Sequence, residues 1–159
     1  MSDIRKTIIS ASEQFGIKGT CLSIEQIESG HINYTYKVTF TDNGINTSYL
    51  FQKINTHVFS DPDKLMHNIV RVTAHLRKKI VDNGGDPRRE TLTFSSAKDG
   101  KYYTILNGDE YWRVCNFVEN TYSCDIVDNA EVFYNSGVAF GKFQQLLADF
   151  DGSSLYETI

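Results

Sequence analysis

The sequence predicts an α+β fold: one twisted antiparallel sheet of about five strands with a long helix packed against it. Three observations carry this. Apolar residues recur at spacings of three and four near the N-terminus, in the middle and near the C-terminus. Between those segments the period changes to two. Turn dipeptides such as Asn43-Gly44, Asp99-Gly100 and Gly108-Asp109 separate the period-two runs, which makes the strands neighbours in hairpins.

The elements follow in order. Residues 3–15 read as an amphipathic helix with Ile4, Ile8, Ala11 and Phe15 on one face, capped by Ser2 or Asp3 and ended by Gly16. Strands are expected at 20–28, 33–41 and 47–54, the second showing Tyr34, Tyr36, Val38 and Phe40 against Thr35, Lys37 and Thr39. Asp61-Pro62 opens a long helix whose stripe is Leu65, Ile69, Val72, Leu76 and Ile80. Arg71, Arg77, Lys78 and Lys79 lie mostly off that stripe and read as a solvated face. Further strands are expected at about 91–97, 101–106 and 110–118. A last helix over 129–150 presents Phe133, Phe140, Phe143 and Leu147, with Gly137 and Gly141 leaving room for another element to approach.

Composition bounds the function. The 159 residues carry 16 Lys plus Arg against 20 Asp plus Glu, a net charge of −4 that argues against nonspecific nucleic-acid binding. Aromatic residues at 13% and only 2 Pro rule out general disorder and low complexity. Cys21, Cys115 and Cys124 form no CxxC pair, so neither a zinc site nor a disulfide framework is supported, and reduced thiols in a cytoplasm are expected. The N-terminus lacks the apolar run of a signal peptide, and no stretch approaches a membrane span.

Candidate binding residues come from three places. The loop Glu28-Ser29-Gly30-His31-Ile32-Asn33 between the first two strands is small and polar. Such a hairpin can offer backbone N–H groups to phosphate oxygens, and equally is an ordinary turn. His31 could donate to a phosphate or a sugar hydroxyl, or could be a solvent-facing turn residue. Lys53, beside Gln52 on the third strand, could neutralise a nucleotide or face solvent; strand parity puts Phe51 and Lys53 on one face and Leu50, Gln52 and Ile54 on the other. The apolar strand that ends in Asn116-Phe117-Val118-Glu119 could give backbone groups to a purine edge as it leaves the sheet. No GxSxG, HExxH or spaced nucleophile pair occurs.

Four blocks, GHINYTYKV, YLFQKINTHVFSDPDKLMHNIVRVTAHL, YWRVCNFVENTYS and FYNSGVAFGKFQQLLADF, together resemble the aminoglycoside-phosphotransferase-like kinases, and within them the N-acetylhexosamine 1-kinase group. The resemblance implies a protein-kinase-like N-terminal lobe and, for the parent enzyme, ATP- and Mg2+-dependent phosphorylation of the anomeric hydroxyl of N-acetylglucosamine or N-acetylgalactosamine. It divides the chain into an N-terminal helix (1–19), a nucleotide-binding lobe (20–119), and a linker with the first helix of a C-terminal lobe (120–159). Gly30, His31, Asn33 and Thr35 match the loop over the phosphates, with His31 nearest the substrate. Lys53 matches a phosphate contact, and Asn116, Phe117, Val118 and Glu119 match the hinge that holds adenine. Kinase-like proteins pair a strand lysine with a helix glutamate. Here the long helix has no Glu, and Asn68 or His67 is the nearest polar stand-in. No HxDxxxxN stretch occurs in the sequence, so the chain is expected to be inactive alone. The alternatives are a standalone binding or interaction module derived from the lobe, and part of a kinase for another small acceptor such as an aminoglycoside, choline or homoserine. A last helix without its cover is expected to drive homodimerisation.

Overall fold

A computed structural model describes residues 3–122, 126, 127 and 129–158. The alternative cap Ser2 and the thiol of Cys124 lie outside the described residues.

The fold is α+β. A five-stranded open antiparallel sheet in the order β1-β2-β3-β5-β4 is built from β1 (Thr20–Ile27), β2 (Tyr34–Asp42), β3 (Ile45–Lys53), β4 (Thr104–Leu106) and β5 (Glu110–Asn116). The helices are α1 (Asp3–Gln14), α2 (Pro62–Asp82), the single turn α3 (Pro87–Glu90) and α4 (Ala130–Leu146), followed by a 3-10 turn at Gly152–Ser154. Among the described residues no helix is long and apolar enough to cross a membrane.

Helix α1 ends where Gly16 takes φ 65° and the Gly16 and Ile17 N–H groups turn back to the carbonyls of Glu13 and Ser12. Its apolar stripe is buried as expected. Ile8, Ala11 and Phe15 join Val38, Phe40, Phe51, Trp112 and Val114 in one core between α1 and the sheet. The N-terminal helix therefore shares a core with the sheet. The β2–β3 hairpin is closed by Asp42 opposite Ile45, with Asn43 and Gly44 both at positive φ, the geometry of a type I′ turn. Helix α2 starts as its sequence predicts: the Asp61 side chain accepts from the Lys64 N–H at 3.0 Å and Pro62 occupies the first turn. Its residues Leu65 and Met66 pack with Ile54 and Tyr103 in a second core on the other side of the sheet.

Two expected strands differ. Residues 91–97 make a single bridge, Phe94 to Cys115. The segment then leaves the sheet because its backbone has other partners: the Ala97 N–H bonds Lys101 and the Lys98 N–H bonds the end of α1 at Gln14. Residues 101–106 are strand only from Thr104, since Tyr102 and Tyr103 both turn toward the α2 core instead of alternating.

Helix α4 is shorter than the expected 129–150 and buries none of its residues. Phe133 and Phe140 are 71% and 64% exposed, and Cβ atoms placed on Gly137 and Gly141 would meet nothing within 4 Å. Beyond α4 the chain folds back along α2. Phe150 sits edge-on to His75, Asp149 pairs with Lys79, and Arg71 reaches Ser154. Arg71 and Lys79, expected as a solvated face, hold this strap.

Candidate functional site

The cross-strand register sorts the sheet into two faces. Residues directly opposite one another point the same way. Tyr34, Lys53 and Trp112 are opposed in one row, and Tyr36, Phe51 and Val114 in the next. These rows face α1. Lys53 therefore stands on the opposite side of the sheet from Thr35 and α2. Its Nζ lies 2.8 Å from Glu110 Oε1 and over the Tyr34 ring at 5.3 Å. Hydrogen bonds from Lys53, then from Asn107 and Trp112, hold the Glu110 carboxyl below its ordinary range. The sequence leaves open which face Lys53 takes; parity with the buried Phe51 two residues before it puts its side chain on the α1 face.

The other face carries the rows Ile27–Thr35–Gln52–Arg113 and Glu25–Lys37–Leu50–Cys115. Helix α2 covers the β5 side of this face through Met66 and Leu65. Over β1–β3 it stays open enough that Ile27, Lys37, Leu50 and Gln52 are only half-buried. One hydrogen-bonded row crosses it. Arg113 Nε donates to Gln52 Oε1 at 3.1 Å, Gln52 Nε2 donates to Thr35 Oγ1 at 3.1 Å, and Thr35 Oγ1 reaches the Asn33 carbonyl at 3.5 Å. Thr35 is buried, with its hydroxyl tying the loop to this row.

Arg113 is only 8% exposed. Its Nη1 donates to Met66 Sδ at 3.7 Å and its guanidinium lies 5.6 Å from the Phe94 ring centroid. Burial lowers its pKa from the ordinary value, yet a guanidinium keeps its charge. The expected stand-ins Asn68 and His67 do not approach it. Asn68 exchanges two hydrogen bonds with the Tyr156 backbone, and His67 lies edge-on to the Tyr156 ring. Both face the strap, and Met66 is what α2 presents to Arg113.

The loop before β2 is stapled by paired asparagines. Asn33 Oδ1 accepts from the Asn55 N–H at 3.0 Å, and Asn55 Nδ2 donates to the Ile32 carbonyl at 3.1 Å. The Asn33 Oδ1 is thus committed within the protein. Gly30 and the exposed His31 line a half-open cavity of about 310 Å³ with Glu28 and Asn33. A Cβ at Gly30 would meet nothing within 4 Å. With Glu28 on its wall, this loop brings no positive charge of its own.

At the opposite end, the exit strand is anchored by Asn116. Its side chain accepts from the Thr93 N–H at 2.6 Å and donates to the Arg88 carbonyl at 3.1 Å. The Phe117 N–H donates to Ser48, and the Glu119 carbonyl accepts from Arg89. Lys37 Nζ sits 2.9 Å from Glu119 Oε2 and 4.4 Å from the Phe117 ring centroid. That pair, led by the Lys37 hydrogen bond, holds the Glu119 carboxyl below its ordinary range. The N–H groups of Val118 and Glu119 have no acceptor among the described residues.

The structure thus brings Thr35, Asn33, Phe117 and Glu119 to one face and its rim, leaves Lys53 on the other, and adds Lys37, Gln52 and Arg113. Among the described residues no three His, Cys, Asp or Glu side chains converge as a metal site. No family model matches this chain.

Proposed function

We propose that this chain is the nucleotide-binding lobe of an ATP-dependent small-molecule kinase, whose parent phosphorylates C1 of an N-acetylhexosamine. The observation that carries the nucleotide reading is the half-open face over β1–β3. It is bounded by the loop at one end and at the other by the Val118 and Glu119 N–H groups, which have no acceptor among the described residues; Lys37 on β2, paired with Glu119, and Arg113 on the neighbouring β5 lie along it. Backbone N–H groups at an exit strand suit the acceptor nitrogens of adenine, half-buried Leu50 and Ile27 suit its flat apolar faces, and the cations suit phosphate. The sugar acceptor rests on the family resemblance. The sequence carries no HxDxxxxN set to orient a nucleophile or hold magnesium, so the chain binds nucleotide without transferring phosphoryl. Dependence on ATP and reduced thiols fits a cytoplasmic protein.

Calorimetric titration with Mg-ATP, ADP, adenosine and GTP tests this. Saturable binding of the adenine ligands over GTP is expected, with no product from N-acetylglucosamine. Absence of adenine-nucleotide binding, or sugar phosphorylation by this chain, would overturn it.

One observation favours a second reading, an interaction module. The face of α4 bearing Phe133 and Phe140 is exposed, at 71% and 64% for those two rings, and a bare apolar face of this kind favours association. Sedimentation separates the two: concentration-dependent dimerisation abolished by Phe140→Asp supports association through α4, and a monomer at high concentration removes it.

A further inference from the structure

We propose that Arg113 is the anchor for the anionic end of the ligand, a polyphosphate, and that Gln52 positions it; this rests on the nucleotide reading. The guanidinium is held on two sides. Nε is taken by Gln52 Oε1 and Nη1 by Met66 Sδ. Nη2 has no hydrogen bond among the described residues, and no buried side-chain nitrogen or oxygen among them lacks a partner. Nη2 is therefore not fully enclosed, and it is the donor of Arg113 that the described residues leave without an acceptor.

No carboxylate among the described residues pairs with this cation. The ion pairs of the lobe involve Lys37, Lys53, Lys64, Lys78, Lys79, Lys101, Lys142 and His75. Burying a charge with only an amide, a thioether and a ring around it is costly, and a same-sized apolar residue would pack there at less cost. A fold that keeps such a group has a use for its charge. The row Arg113–Gln52–Thr35 runs on the same sheet face as Lys37, toward the loop. A phosphate reaching Nη2 at the end of that row would give the third donor its acceptor. Arginine suits this because its planar donors stay charged and match phosphate geometry.

The test compares wild type with Arg113→Met, using three probes: Mg-ATP, inorganic tripolyphosphate and adenosine. The expected result is a loss of about 30-fold or more in ATP and tripolyphosphate affinity, unchanged adenosine affinity, and a melting temperature equal to or above wild type. Equal ATP and tripolyphosphate binding by Arg113→Met would overturn the proposal, as would equal loss of adenosine. In the wild-type chain tripolyphosphate should shift the Arg113 Nε–Hε resonance. An unmoved resonance at saturation overturns the anchor even where the variant fails to fold. Wild type that binds tripolyphosphate through Arg113 but not adenosine removes the nucleotide reading and keeps the anion site. Wild type that binds none of the three removes both.

Discussion

Truncating Ile8 to Ala tests whether α1 is part of the core on the sheet. Ile8 is fully buried and lies among Ala11, Val38, Phe51, Trp112 and Val114, all of them 1% exposed or less. The β2, β3 and β5 residues in this wall are pinned by ladder hydrogen bonds on both sides. The site cannot collapse into the space left, so the cost falls in the upper part of the range for such truncations, about 3–5 kcal/mol. In a domain of this size that is a fall of roughly 10 °C in melting temperature. Trp112 is the single tryptophan and lies in the same core, so urea unfolding followed by its fluorescence reads the right place. Ile45→Ala, at a residue 70% exposed, is the control and should stay within about 0.5 kcal/mol of wild type. A loss below about 1 kcal/mol for Ile8→Ala would refute the packing of α1 against the sheet.

Three further outcomes follow from single positions. Gly19→Ala places a Cβ 2.2 Å from the Thr41 carbonyl oxygen at φ 94° and should cost about 2–4 kcal/mol, whereas Gly16→Ala meets open space and should cost about 1 kcal/mol, both by urea midpoint. Burial pushes the Cys115 thiol up to about 12, so in a Cys124→Ser background Cys115 should react with iodoacetamide at pH 8 only as fast as the protein unfolds; rapid alkylation would contradict its burial. Glu110 is held below its ordinary value, so the folded state takes up its proton at lower pH than the unfolded state does. Its pairing with Lys53 stabilises fully above about pH 4.5 and is lost as pH falls through the lowered value. The stability gap between wild type and Lys53→Met should therefore narrow from pH 4.5 downward, and a constant gap to pH 3 would refute the linkage.

The elements were largely legible because local signals and tertiary structure agree. Asp61-Pro62 is both a helix-start signal and the observed cap, and Asn43-Gly44 both a turn signal and a type I′ turn. The alternation through 34–40 also sorted the faces of the second strand. Residues 91–97 misled because their composition suits a strand, while only Thr93 to Ser95 reach β5 and the backbone then turns to Lys101 at Ala97 and to Gln14 at Lys98, which no local pattern reveals. The site was legible in position and not in polarity. Parity put Gln52 and Lys53 on opposite faces, but only the location of α2 says which face is the floor. Arg113 was missed although a signal existed: one arginine in the run Tyr111-Trp112-Arg113-Val114-Cys115, where its neighbours are apolar and buried. Its partners Gln52 and Met66 are far away in sequence, so its role waited on the register.

The most direct test of the nucleotide site is a backbone amide shift map on addition of Mg-ATP. The largest shifts should fall at Val118 and Glu119, with a second group at Thr35, Lys37, Leu50 and Gln52 on the α2 side of the sheet. Shifts centred on Lys53, Glu110 and the α1 face, or no shifts at millimolar ATP, would contradict the site.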